Sequence, residues 1–155
     1  HSFVSGGELA MSVFSPDLVD LNLVATDKLD AIQKMAAMVV AAGRGTDANQ
    51  IAADVIARDE IGTPQVDGVA IPHARSAGVT QSSVVVARTA GVTFDTDEDP
   101  ADVLFMILVP PGEGDEHIDI LSSLARRLMD PEFTAALRNL SDANELSALL
   151  VNGQN

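Results

Sequence analysis

The sequence predicts an α/β fold, a single domain in which a central mixed β-sheet is sandwiched between α-helices. The length of 155 residues suits one domain, and an apolar content of 46% is enough for a sizeable core. Apolar and β-branched runs typical of strands alternate with segments whose apolar residues recur at helical spacing. Because strands and helices are interspersed, and no internal repeat or low-complexity linker separates them, we expect one layered domain.

The first ten residues are not expected to belong to this domain. His1 to Ala10 have a serine- and glycine-rich character that resembles an expression remnant, which makes Met11 the expected native start and residues 11–155 the domain. The opening residues lack the basic start and long apolar core of a signal peptide. No apolar run in the chain approaches the ~20 residues that a membrane-spanning helix needs.

The first half of the chain reads as a short strand followed by two helices. The segment 14–24 is an irregular lead-in with a short strand. Thr26 is the predicted N-cap of the first helix, with Asp27 in its first turn, and glycines 43 and 45 end it. Thr46 or Asp47 caps the second helix. That helix should end near residues 58–60, since the sequence Gly62-Thr63-Pro64 is typical of a turn.

The second half supplies the main strands and then three helices. Residues 82–88 are rich in valine and predict a strand, and residues 91–94 alternate as a short partner strand would. The continuous apolar run 103–109 predicts a central strand buried on both faces.

Each of the three following helices has a capping signal. The predicted caps are Asp115, then Asp130 with Pro131, then Ser141-Asp142. The third helix of the chain should bury a stripe made of Leu121, Leu124, Ala125 and Leu128.

Composition narrows the classes of function. The absence of cysteine excludes disulfides and thiolate catalysis, and it agrees with a cytoplasmic location. The net charge of −14 argues against nucleic acid and anionic membrane surfaces as partners. An aromatic content of 3% leaves few stacking platforms for bases or sugars. The charge suits either a basic protein partner or simply solubility.

The segment 68–75 holds the principal candidate residue, His73. An apolar run leads to Pro72, which fixes φ and makes the residue before it extended, so the ring should be presented at the end of a strand. Histidine can be a neutral nucleophile near pH 7 without special tuning. The alternative is that His73 is an ordinary packed or surface residue.

Three further side chains form a candidate anion site with His73. His117 follows the end of the central strand, in the first turn of the third helix, where the helix dipole disfavours the imidazolium. Arg58 ends the second helix and Arg75 lies just after His73. Arginine is the best side-chain fork for phosphate. Each residue alone could equally be a solvated surface group, but together they could meet around one anion.

At these residues the chain resembles the enzyme IIA domain of the fructose/mannitol class of the bacterial phosphoenolpyruvate:sugar phosphotransferase system. The resemblance runs from about Leu18 to Leu150. It is carried by three ordered motifs: residues 58–63, the phosphorylation motif 68–73, and the second-histidine helix with residues 116–121 and 124–126. Arg75 and the acidic turn 95–99 resemble the fructose branch more than the mannitol or nitrogen-regulatory branches.

The resemblance implies a role for each candidate residue. His73 would accept a phosphoryl group from phospho-HPr, through Nε2, and pass it to a cysteine of an enzyme IIB domain. His117 would hydrogen-bond the phosphoryl oxygens and Arg58 would offset their charge, with Arg75 able to share or replace that role and Thr63 nearby. A protein partner must reach the ring, so we expect an exposed His73.

The resemblance also bounds partners, cofactors and location. The sugar, expected to be fructose, would be recognised by an enzyme IIC transporter domain, through which alone the protein would contact a membrane. No cofactor or metal is implied. The chain would be cytoplasmic, either free-standing or as the soluble domain of a permease.

Two other functions stay open on the sequence. The first is a nitrogen-regulatory enzyme IIA that binds proteins according to its phosphorylation state. The second is a two-histidine metal hydrolase, although neither HxH nor HExxH spacing occurs.

Overall fold

A computed structural model describes residues 13–112, 114 and 116–152 and confirms the predicted fold class. The expected expression remnant, Met11 and the predicted helix cap Asp115 lie outside the described residues. The strands are β1 (Val19–Asp20), β2 (Gln65–Val66), β3 (Val69–Ala70), β4 (His73–Arg75), β5 (Ser83–Val92) and β6 (Ala101–Val109). The helices are α1 (Lys28–Ala41), α2 (Ala48–Asp59), α3 (Glu116–Arg127), α4 (Pro131–Asn139) and α5 (Ala143–Asn152).

The sheet is mixed and is built around β6. Its order is β1-β5-β6-β3-β2, with β5 antiparallel and β3 parallel to β6. β4 also pairs in parallel with β6, further along the edge that β3 occupies. The two residues between β3 and β4, Ile71 and Pro72, therefore cross from one pairing to the next. Ile107 N donates to Pro72 O at 3.0 Å within this crossing.

The strand β6 separates two apolar cores, as the continuous apolar run predicts. Leu104, Met106 and Leu108 belong to the core under α1 and α2. Phe105 and Ile107 belong to the core under α3, α4 and α5. All five residues are fully buried. Alternate side chains of one strand thus hold the two helical layers in place.

Most helix starts match their sequence signals. Asp47 caps α2 by accepting from Gln50 N, Asp130 caps α4 beside Pro131, and Asp142 accepts from Asn144 N at the start of α5. The prediction of Thr26 as the first cap is wrong by one residue. Asp27 is the cap of α1, because its carboxylate accepts from Asp30 N, while the Asp30 carboxylate accepts from Thr26 N.

Two predictions fail where local pattern and tertiary structure differ. Residues 91–94 are not a separate partner strand, because β5 continues to Val92 through a register shift and pairs with Ala101. Ala125 is exposed and Leu121 only partly buried. The buried line of α3 is instead Ile120, Leu124 and Leu128.

Candidate functional site

His73 begins β4 and lies next to the central strand, since it pairs with Ile107. The expectation of an exposed ring at the end of a strand is wrong. Pairing with β6 leaves the residue only 7% exposed. A partner can therefore reach only a small part of the residue.

The hydrogen bond of His73 fixes which ring nitrogen is free. Nδ1 lies 3.2 Å from the carbonyl oxygen of Ile71. A carbonyl can only accept, so in the neutral ring Nδ1 carries the hydrogen and Nε2 keeps its lone pair. The Ile71 carbonyl, which lies in the crossing between β3 and β4, thus leaves Nε2 as the nucleophilic nitrogen.

The surroundings also keep this ring neutral. Burial lowers the pKa of His73 below its ordinary value of 6.5, and the positive charge of Arg58 lowers it further, as would a proton on His117. The hydrogen bond to Ile71 acts in the opposite direction. Because the pKa is lowered on balance, the unprotonated ring predominates at pH 7.

His117 lies beside His73, at the start of α3. The two rings are stacked with centroids 6.4 Å apart and an angle of 28° between their planes. Arg75 Nη2 lies 3.4 Å from His117 Nδ1 and also donates to the carbonyl oxygen of Gly114. Arginine has no acceptor, so this contact makes Nδ1 of a neutral His117 the acceptor and leaves the N–H on Nε2. His117 is thereby held as a donor next to a nucleophile.

Arg58 lies in the last turn of α2, and its Nη1 donates to Gly62 O at 2.8 Å. Its charge acts on His73, as the lowered pKa of that ring indicates. Thr63 is predicted as a neighbour of the phosphoryl group, and the structure gives the partner of its hydroxyl. It donates to Asp59 Oδ1 at 2.6 Å, in the turn that follows α2.

The structure therefore brings His73, His117, Arg58 and Arg75 together from three separate segments, which are α2, β4 and the start of α3. They combine one nucleophilic ring nitrogen, one N–H donor and two guanidinium groups, which suits an anion that carries a transferable group. The importance of Asp59 and of the Ile71 carbonyl was missed by sequence reasoning. The spacing of four residues between Asp59 and Thr63 could have indicated a contact between the two side chains. A contact made by a backbone carbonyl, such as that of Ile71, has no signal in the sequence.

The described part of the chain lacks the features of two other classes of site. Among these residues, no group of three or more histidines or acidic side chains is arranged to hold a metal ion. None of the helices described here is both long enough and apolar enough to cross a membrane.

A family model, curated proteins and solved structures are similar to this chain. The model of the phosphoenolpyruvate-dependent sugar phosphotransferase system, EIIA 2, matches residues 12–153. The fructose-specific EIIA component of Haloferax volcanii is 38% identical over 123 residues, which cover 77% of this chain and 80% of that protein. The nitrogen regulatory protein of Pseudomonas aeruginosa is 30% identical over 146 residues, or 92% and 95% of the two chains. The crystal structure of IIA-Ntr from Neisseria meningitidis matches with a TM-score of 0.83 at 27% identity, covering 92% of this chain and 99% of that one.

Proposed function

Since this chain belongs to the EIIA 2 family of the phosphoenolpyruvate-dependent sugar phosphotransferase system, whose members transfer phosphoryl groups, we propose that it is a phosphohistidine carrier acting through Nε2 of His73. The observation that carries the proposal is the hydrogen bond from Nδ1 to Ile71 O. It leaves Nε2 as the one ring nitrogen with a free lone pair.

In this mechanism the phosphoryl group comes from phospho-HPr. The bond from phosphorus to Nε2 forms as the bond to the donor breaks, and Nδ1 keeps its hydrogen, which it donates to Ile71 O. The second transfer breaks the bond to Nε2 and moves the group to a cysteine of an enzyme IIB domain. Positioning and charge stabilisation suffice for such transfers, so no metal or cofactor is required.

The other side chains of the site have distinct roles in the proposal. His117 donates from Nε2 to a phosphoryl oxygen, because Arg75 occupies its Nδ1. Arg58 offsets the negative charge of the phosphoryl group, since its charge acts on His73. This division makes Arg75 an orienting residue for His117 rather than a substitute for Arg58.

The first experiment is intact-mass spectrometry after incubation with phosphoenolpyruvate, enzyme I and HPr. We expect one acid-labile phosphoryl group on the wild type and none on His73→Ala. The circular dichroism of the variant should match that of the wild type. A folded wild type that takes up no phosphoryl group contradicts the proposal, as does normal uptake by His73→Ala.

His117→Ala tests the second step separately. We expect this variant to accept the phosphoryl group but to pass it to an enzyme IIB domain at least roughly tenfold more slowly, because one donor to the phosphoryl oxygens is lost. Single-turnover transfer from the isolated phosphoprotein measures that rate. Transfer at the wild-type rate would reduce His117 to a neighbouring surface residue.

For the destination of the phosphoryl group, we propose the cytoplasmic step of sugar uptake, with fructose as the sugar. The 38% identity to the Haloferax volcanii fructose-specific component supports this choice. A second candidate is a regulator that binds proteins according to its phosphorylation state. The broad coverage of the match to the Pseudomonas aeruginosa nitrogen regulatory protein favours that candidate.

Onward transfer distinguishes these two candidates. A carrier for fructose should transfer its phosphoryl group to the cysteine of a fructose enzyme IIB domain, and a Cys→Ser variant of that domain should accept none. A regulator should keep its phosphoryl group in the same mixture.

A further inference from the structure

The carboxylate of Asp59 joins three segments beneath the turn that follows α2. Its side chain is only 7% exposed, and Oδ2 lies 2.6 Å from Lys28 Nζ at the start of α1. Oδ1 accepts from the Thr63 hydroxyl at 2.6 Å, within the turn itself. Lys28 Nζ also donates to Phe94 O at 2.9 Å. Both carboxylate oxygens therefore have charged or polar partners that hold the turn against α1.

This turn contacts both sides of the His73 site. On one side, Gly62 O accepts from Arg58 Nη1 at 2.8 Å. On the other, Pro64 O accepts from Ile71 N at 2.9 Å, and the Ile71 carbonyl is the partner of His73 Nδ1. Movement of the turn would therefore displace the guanidinium that acts on His73 and the carbonyl that fixes its tautomer.

We propose that Asp59 and Thr63 are a positioning pair for phosphoryl transfer, holding the turn 62–64 so that Arg58 and the Ile71 carbonyl keep their places at His73. The proposal rests on the proposed function of His73 and adds to it. Thr63 has a hydroxyl whose hydrogen is committed to Asp59, so its part is to hold the turn rather than to donate to the phosphoryl group. A small displacement of groups around a reacting centre is enough to slow a transfer severely.

Thr63→Val is the principal variant, because it keeps the side-chain shape and removes the hydroxyl. We expect the limiting rate of phosphoryl acceptance to fall about tenfold, with little change in KM for phospho-HPr. Thr63→Ser should restore the rate, since it restores the hydroxyl. The matched control is Thr89→Val, because the Thr89 hydroxyl also donates within the protein, to Ala101 O. Thr89 lies toward the end of β5 that is away from the His73 site.

The titration of the His73 ring, followed by NMR, gives a readout that a purely structural role would not move. Displacement of Arg58 should raise the pKa of His73, as Arg58→Gln should, whereas displacement of the Ile71 carbonyl should lower it. The pKa of His73 in Thr63→Val should therefore differ from that of the wild type. Combining these two substitutions should slow acceptance by less than the product of their separate effects, since part of the effect of Thr63→Val acts through the Arg58 guanidinium. Asp59→Ala should reproduce Thr63→Val.

The outcomes separate this proposal from the proposed function. Suppose that Thr63→Val and Asp59→Ala leave the acceptance rate and the His73 titration as in an active wild type, and lower only the unfolding midpoint. The pair is then purely structural and the proposal is overturned. A wild type that accepts no phosphoryl group overturns the proposed function instead. In that case the titration, which needs no partner protein, still decides whether the pair positions Arg58 at His73.

Discussion

At the residue scale, the chemistry of His73 depends on keeping its ring unprotonated. Burial is the main reason that the pKa of this ring lies below 6.5, and the charge of Arg58 contributes in the same direction. We expect wild-type phosphoryl acceptance to be maintained at pH 6.5 and to fall only as the pH drops through the lower pKa of the folded protein. Arg58→Gln should move the midpoint upward. Single-turnover acceptance rates across the acid range, beside NMR titration of the ring, measure both midpoints.

The same pKa shift has a consequence for stability, with a definite sign. Between the folded-state pKa of His73 and 6.5, the unfolded chain binds more protons at this residue than the folded chain does. The free energy of unfolding therefore increases as the pH rises through that window, and the contribution is lost as the pH falls through the folded-state pKa. A His73 midpoint at or above 6.5 would contradict this prediction and the one on acceptance.

The identities of the candidate residues could be predicted, whereas their hydrogen bonds could not. His73, His117, Arg58 and Arg75 follow from motif order and from chemistry that suits an anion. The burial of His73 depends on its pairing with Ile107, and the tautomer of His117 depends on Arg75, a residue 42 positions away in the sequence. Such contacts are set by the tertiary fold, so no local pattern indicates them.

At the element scale, Arg127 connects the three helices that cover one face of the sheet. It lies in the last turn of α3, and its Nη1 and Nη2 donate to the last-turn carbonyls of α5, Leu150 O at 2.9 Å and Leu149 O at 2.8 Å. Its guanidinium carbon also lies 4.3 Å from the ring centroid of Phe133 in α4. One side chain thus bonds to α5 and packs on α4.

We expect Arg127→Met to lower the free energy of unfolding by about 2 kcal/mol, because it removes charged hydrogen bonds and a cation–π contact. Arg126→Met is the matched control: Arg126 is exposed, and its substitution should change stability by less than about 0.5 kcal/mol. Urea unfolding at neutral pH measures both variants. Equal midpoints for the two would show that Arg127 does not fasten these helices.

Helix caps are the sequence signals that predict the elements of this fold most reliably. Aspartate caps such as Asp47, Asp130 and Asp142 are local devices, and each is confirmed. The predicted strand 91–94 fails because a bulge lets β5 continue to Val92, a choice made by pairing with Ala101. The prediction that Ala125 is buried is wrong, because alanine is accepted on either face of a helix and its residue type does not indicate which face it occupies.

At the scale of the whole molecule, the net charge of the chain is opposite in sign to the charge of the arginines at the site. The chain carries a net charge of −14, whereas the described site brings two arginines to His73 and His117. The arginines suit the phosphoryl group, while the acidic remainder of the surface suits a partner protein with basic residues around its own site. Complementary charge of this kind mainly increases the rate of encounter rather than the rate of the chemical step.

We therefore expect salt to act on encounter alone. Raising the ionic strength from about 0.05 M to about 0.5 M should lower kcat/KM for acceptance from phospho-HPr roughly tenfold and leave the limiting rate nearly unchanged, because the longer-range attraction is screened. Stopped-flow transfer at several donor concentrations separates the two quantities. An uncharged osmolyte at matched osmolarity is the control and should leave kcat/KM unchanged. If salt leaves kcat/KM unaltered, the acidic surface does not steer the donor, and solubility becomes the reason for the charge. A fall in the limiting rate would instead indicate that salt competes with the phosphoryl group at Arg58.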